Sequence, residues 1–100
     1  MKKYVVTMSN RALRDLDNIS SYIAIEKNSP EVAVALYNEI LDAIIGLEDF
    51  PHSHPDRNVG IYAGTGCKQL TINNYIVIYS IDDENYIVEV DVVRHQKQNT

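Results

Sequence analysis

Asn73-Asn74-Tyr75-Ile76-Val77-Ile78-Tyr79-Ser80-Ile81-Asp82-Asp83-Glu84-Asn85 is the stretch that decides the fold. Ile76 to Tyr79 is apolar at every position, which predicts a strand covered on both faces and therefore a central one. Asn73-Asn74 tolerates positive φ and suits a tight hairpin before it; Asp82 to Asn85 makes a looser turn after it. Upstream, Leu70 and Ile72 alternate with Gln69 and Thr71. Downstream, Val88, Val90 and Val92 alternate with Glu89 and Asp91, so that strand is expected to keep one face in water. The result is an expected three-strand meander over 67–73, 75–82 and 86–93.

Helical periodicity precedes the meander. Tyr4 to Met8 is rich in β-branched residues and reads as a strand, with Ser9 or Asn10 placed to cap a helix directly after it. Ala12, Leu16, Ile19 and Ile23 then recur on one helical face, with Leu13 and Tyr22 expected to widen it. Glu26-Lys27-Asn28 ends that helix. Ser29-Pro30-Glu31 opens the next: a side-chain cap, a proline where no donor is needed, and an acid at the positive helix end. Ala33, Leu36, Tyr37, Ile40, Leu41, Ile44 and Leu47 form its stripe, and Phe50-Pro51 closes it. Helices over 10–27 and 30–49, joined so briefly, must run antiparallel and bury their stripes on the sheet. Residues 51–66, punctuated by Pro51, Pro55, Gly60, Gly64 and Gly66, are expected to form a long loop of the kind that is mobile or functional. The expected class is α+β, β-α-α-β-β-β, with a helix hairpin on a small, mainly antiparallel four-stranded sheet.

Composition bounds the function. One hundred residues make one domain, 1–100, with a polar tail from about 96. No apolar run approaches the ~18 residues of a membrane span, and the first ten residues hold too short an apolar stretch for a secretory signal. The lone Cys67 cannot form an internal disulfide, which fits a reducing cytoplasm; its simplest role is a small residue at a strand start. Net charge is −5, but basic residues gather at the ends: Lys2, Lys3, Arg11 and Arg14 in 1–14, and Arg94 and Lys97 in 94–100, neither stretch holding an acid. Residues 26–56 carry seven acids against Lys27 alone, and 82–91 five acids and no base. Such a chain lacks the counterion-release drive for binding a bare phosphate backbone.

Chemistry-bearing residues are sparse. His95, at a strand end, titrates near neutrality and suits a general acid or base, against the simpler reading of a solvated tail residue. Lys68 suits a phosphate or a partner's carboxylate, or is a plain surface lysine. His52 and His54 are two metal-type ligands without a third, hence structural loop residues. Tyr75 and Tyr79 lie four apart on one strand face, placed either to stack on a base or to pack. With no glycine-rich phosphate loop, nucleophile elbow or Cys-x-x-Cys pair, no cofactor or metal is expected.

Several local patterns, taken in order, resemble the RelE/ParE superfamily, the toxin halves of bacterial type II toxin–antitoxin modules. They are Ser9-Asn10-Arg11-Ala12-Leu13-Arg14-Asp15-Leu16; Ile19-Ser20-Ser21-Tyr22-Ile23; Pro30-Glu31-Val32-Ala33; Leu47-Glu48-Asp49-Phe50-Pro51; and Asn74-Tyr75 with Tyr79. The resemblance spans about 3–95 and implies a growth-inhibiting toxin, held by an antitoxin in a hetero-oligomer. It implies one of two targets: DNA gyrase for a ParE-like inhibitor, or ribosome-bound mRNA for a RelE-like endonuclease. A third reading is a degenerate, non-toxic module that still binds antitoxin. In a nuclease, the basic candidates are Lys68, Arg94, His95 and Lys97. Two departures favour the gyrase reading. Lys68 stands where many relatives carry arginine, and lysine lacks the bidentate fork. Asp91 stands at another expected arginine, where a carboxylate repels phosphate. For the antitoxin, the basic ends (Lys2, Lys3, Arg11, Arg14, Arg94) imply a partly acidic segment.

Overall fold

The structure, a computed structural model, describes residues 3–97; Lys2 and the last three residues of the expected tail lie outside the described residues. Strand β1 (Val5–Met8) leads into helices α1 (Asn10–Glu26) and α2 (Pro30–Ile45), followed by strands β2 (Lys68–Ile72), β3 (Tyr75–Asp82) and β4 (Ile87–His95). They form one sheet in the order β1-β4-β3-β2, with β1 parallel to β4 and the other pairs antiparallel. The element order is the expected one, and β3 lies inside the sheet. Local chemistry explains the joints. Ser9 accepts from the Ala12 N–H at 3.0 Å and donates to the Asp91 carbonyl at 2.7 Å, so one hydroxyl caps α1 and ties it to β4. Ser29 caps α2 through the Val32 N–H, with Pro30 in the first turn. Asn28 (φ 47°) and Asn73 (φ 53°) take the left-handed conformation that the turns require.

The core lies between the helices and one sheet face. Ala12 and Leu16 of α1, Ile40 and Ile44 of α2, and Leu70, Val77, Tyr79, Val88, Val90 and Val93 of the sheet are its buried members. Tyr79 is 0% exposed and donates to the Pro51 carbonyl at 2.6 Å, pinning the exit of the helical region.

Three expectations need correction. The second helix stays α only to Ile45; its last turn tightens into a 3₁₀ turn, Gly46–Glu48, as helix ends commonly do. Leu13 and Tyr22 do not widen the α1 stripe but are 46% and 61% exposed. The fully buried face is narrow, comprising Ala12 and Leu16, with Ile19 partly buried against the same core. Val92 does not join Val88 and Val90. In the register, Tyr79 pairs with Val90 and Ile78 with Val92, leaving Asp91 as an extra residue in a β-bulge. The bulge flips the alternation, so Val93 enters the main core while Val92 joins Ile76 and Ile78 in a small cluster on the opposite face. That face is not left to water: Tyr62 and Cys67 pack on it.

Residues 51–66 are more ordered than a bare loop. They hold 3₁₀ turns at Pro51–Ser53 and Gly60–Tyr62, and they cover the outer edge of β2. The Gln69 N–H donates to the Pro55 carbonyl at 2.9 Å, and the Arg57 N–H to the Cys67 carbonyl at 2.8 Å. The sheet therefore has one covered edge, at β2, and one open edge, at β1.

Candidate functional site

An open strand edge presents unpaired backbone groups and needs a cover or a partner. In β1 the Val5 N–H donates to Tyr86 and the Ser9 N–H to Val90, so strand alternation turns the backbone groups of Val6 and Met8 outward. Beside that edge runs a groove of ≈ 460 Å³ walled by Val6, Met8, Leu41, Ile44 and Ile45, with Lys3 and Glu48 at its polar end. Ile45 is 48% exposed, which supplies apolar surface with no occupant among the described residues. An extended segment fits such a place by adding a strand and setting alternate side chains into the groove. The sequence did not disclose this wall: Leu41 reads as an ordinary member of the second helix's stripe, and Ile45 falls outside that stripe.

A second cleft of ≈ 590 Å³ lies at the other end of β4, between the C-terminal half of α1 and the Asn74-Tyr75 corner. Ile19, Tyr22, Ile23, Tyr75 and His95 line it. His95 is the last residue of β4 rather than a solvated tail residue. It is half-buried, with its ring edge-on to Tyr75 at 5.3 Å.

The structure sets Lys68 apart from the other nuclease candidates, Arg94, His95 and Lys97, which share the end of β4. Lys68 sits opposite Tyr79, which is opposite Val90, while His95 pairs with Tyr75 at the far end of β4. That separates the two by about 13 Å along the strands and two strand spacings of about 5 Å each across them. Lys68 pairs with Asp56 at 2.9 Å. Arg94 pairs with Asp15 at 2.5 Å, both side chains under a fifth exposed, and the same carboxylate accepts from the Val93 N–H at 3.1 Å. Lys97 is exposed, its N–H donating to His95 Nδ1 at 3.2 Å. Of the basic residues assigned to antitoxin, Arg11, Arg14 and Arg94 share the start of α1 and the neighbouring stretch of β4, whereas Lys3 lies beside Asp49 at the β1 groove.

Asp91 has a structural use that the sequence did not disclose. Its carboxylate accepts a short hydrogen bond from the Tyr62 hydroxyl, fastening the 60–66 segment over the outer sheet face. His52 and His54 diverge: His52 meets Asp83 at 2.7 Å, and His54 lies edge-on to Tyr79. Asp83 also accepts from Tyr4 at 2.7 Å, so one carboxylate joins β1, the Pro51 turn and the β3–β4 turn. Arg57, 7% exposed with Nη1 donating to Gln69 at 3.1 Å, is a buried cation that no periodicity could flag within a loop.

These contacts make a measurable prediction. Tyr4 is pushed up to about 12 by its hydrogen bond to Asp83 and then by burial. Tyr62 is pushed up to about 12 by burial and then by Asp91, with Arg11 acting the other way; Tyr79 reaches about 12 through burial alone. An unfolded chain releases these protons near 10. Between about 10 and 12 the folded state therefore holds more protons than the unfolded one, and stability falls as pH rises. Tyrosinate absorbance under native conditions is expected to show at least three of the seven tyrosines titrating late, all seven moving to about 10 in urea. A single native step near 10 would contradict these contacts.

A family model described as the ParE toxin of the type II toxin–antitoxin system parDE matches residues 6–100. No curated protein sequence matches. The fold is similar to that in the chromosomal ParDE system of P. aeruginosa, with TM-score 0.77 and 15% identity over 93% of this chain and 96% of that one. It is also similar to the RelBE2 toxin–antitoxin complex of Mycobacterium tuberculosis, with TM-score 0.64 and 24% identity over 93% and 98%. The isolated E. coli RelE toxin gives TM-score 0.64 and 14% identity over 96% and 87%.

Proposed function

This chain belongs to the family of ParE toxins of type II toxin–antitoxin systems, and on that premise we propose that it inhibits DNA gyrase and is neutralised by a cognate antitoxin. The observation that carries the reading is the ParE family match over nearly the whole chain. The separation of Lys68 from Arg94, His95 and Lys97 supports it over the nuclease reading. A nuclease must stabilise extra negative charge on one phosphate in the transition state. Here Lys68 and Arg94 each face a carboxylate, and Lys68 and His95 lie at opposite ends of the sheet. Inhibition by binding asks for surfaces instead, and the described residues form open clefts beside β1 and at the far end of β4. For the antitoxin, the open β1 edge and the groove under Ile45 suit an extended segment that becomes a fifth strand. Lys3 at the groove's end favours an acidic residue there. The single cysteine supports a cytoplasmic setting, and no described helix is long and apolar enough to cross a membrane.

The test is a gyrase supercoiling assay run beside primer extension on translating ribosomes. Supercoiling is expected to fall with added protein and mRNA to stay intact. Cleavage in the ribosomal A site that disappears in His95→Ala or Lys68→Ala would overturn the proposal and make the chain a nuclease.

A further inference from the structure

The exposed side of α1 carries a pattern that the core does not use. Arg11, Arg14, Asn18, Tyr22 and Ile25 follow one another at spacings of three, four, four and three, which at 100° per residue sets them on one narrow stripe. Its far end is apolar and open, Tyr22 being 61% and Ile25 81% exposed. Its near end is basic: among the described residues Arg11 and Arg14 form no ion pair, because the neighbouring Asp15 is taken by Arg94. Tyr22 also forms a wall of the second cleft, facing Tyr75 and His95. Burial raises the Tyr75 phenol, with Tyr22 adding to it.

We propose that this stripe and cleft are the second half of the antitoxin interface, taking an antitoxin segment with a carboxylate and, about four residues on, a bulky apolar side chain. The inference rests on the antitoxin reading above. Continuity argues for that occupant. β1 ends at Met8 and α1 begins at Asn10, so a segment paired with the β1 edge and leaving it at Met8 runs onto Arg11 and Arg14. The spacing follows from geometry. Arg14 and Tyr22 are eight residues apart on a helix, about 12 Å, which an extended chain covers in about four residues. A second copy of the chain is a poor occupant, because a five-residue stripe falls well short of the ~800 Å² per partner of a stable interface.

The probe is the purified product of the reading frame adjacent to this chain's own, titrated against the full chain by calorimetry. Tyr22→Ala is expected to weaken binding roughly tenfold or more, as a truncated aromatic anchor does. The double variant Arg11→Glu/Arg14→Glu is expected to weaken it by roughly thirtyfold and flatten its salt dependence. All three positions are exposed, so melting temperatures should hold and a binding loss cannot be laid to unfolding. Affinities within twofold of wild type, with the β1-groove variant Ile45→Asp still disruptive, would overturn this second half and leave the function reading standing. Variants that keep antitoxin affinity but lose gyrase inhibition would also overturn it, assigning the stripe to the target. No binding by the wild-type chain would remove the function reading and this inference together.

Discussion

Tyr79→Ala is expected to cost about 3–5 kcal/mol, enough to unfold much of a domain whose total stability is of order 5–15 kcal/mol. Tyr79 is 0% exposed, sits on interior strand β3, and is among the largest fully buried side chains. Its removal leaves a cavity in the main core beside the His54 ring and frees the Pro51 carbonyl that its hydroxyl satisfies at 2.6 Å. The second loss can be isolated. Tyr79→Phe keeps the ring and strands only the carbonyl, so it should cost about 1–3 kcal/mol. Urea unfolding followed by circular dichroism measures both. Equal losses in the two variants would show that the hydroxyl, not the ring, dominates, contrary to the packing described.

Ile45→Asp is expected to weaken antitoxin binding by roughly a hundredfold or more, since it sets a charge where an apolar anchor should be buried. Folding should survive. Ile45 is 48% exposed at the end of α2, and an acid at a helix C-terminus costs only about 0.3–1 kcal/mol. Calorimetry against the adjacent-frame product, with a thermal melt as control, decides it. An affinity within a few-fold of wild type would place the antitoxin away from the β1 groove.

What was legible in the sequence was whatever obeys a local rule. The caps Ser9 and Ser29, Pro30 at the first helical turn, the left-handed Asn73 and the apolar run of β3 each act within a few residues, and each stands in the structure as read. Misreadings began where distant residues meet. Strict alternation carried Val92 onto the wrong face because nothing around Asp91 announces a bulge; its causes are the Ser9 tie to its carbonyl and the Tyr62 tie to its carboxylate. Those partners lie 82 and 29 residues away. The same holds for Asp15 with Arg94, and for Tyr4 and His52 with Asp83. Leu13 and Tyr22 fit a helical stripe by spacing, yet how wide a face the sheet buries is a tertiary property. For the candidate site, the basic residues were readable one by one. Their grouping, with Arg11, Arg14 and Arg94 apart from Lys3, depends on where α1 crosses β4.

DNA supercoiling by purified gyrase in the presence of this protein, with the adjacent-frame product added back in a parallel series, decides between gyrase inhibition and mRNA cleavage. Supercoiling is expected to be lost as the protein is titrated in and restored at one equivalent of antitoxin. Inhibition is also expected to be unchanged in Lys68→Ala, whose side chain lies outside both clefts and shares no catalytic centre with His95. Full supercoiling at saturating protein, together with cleavage of ribosome-bound mRNA that Lys68→Ala or His95→Ala abolishes, would contradict it.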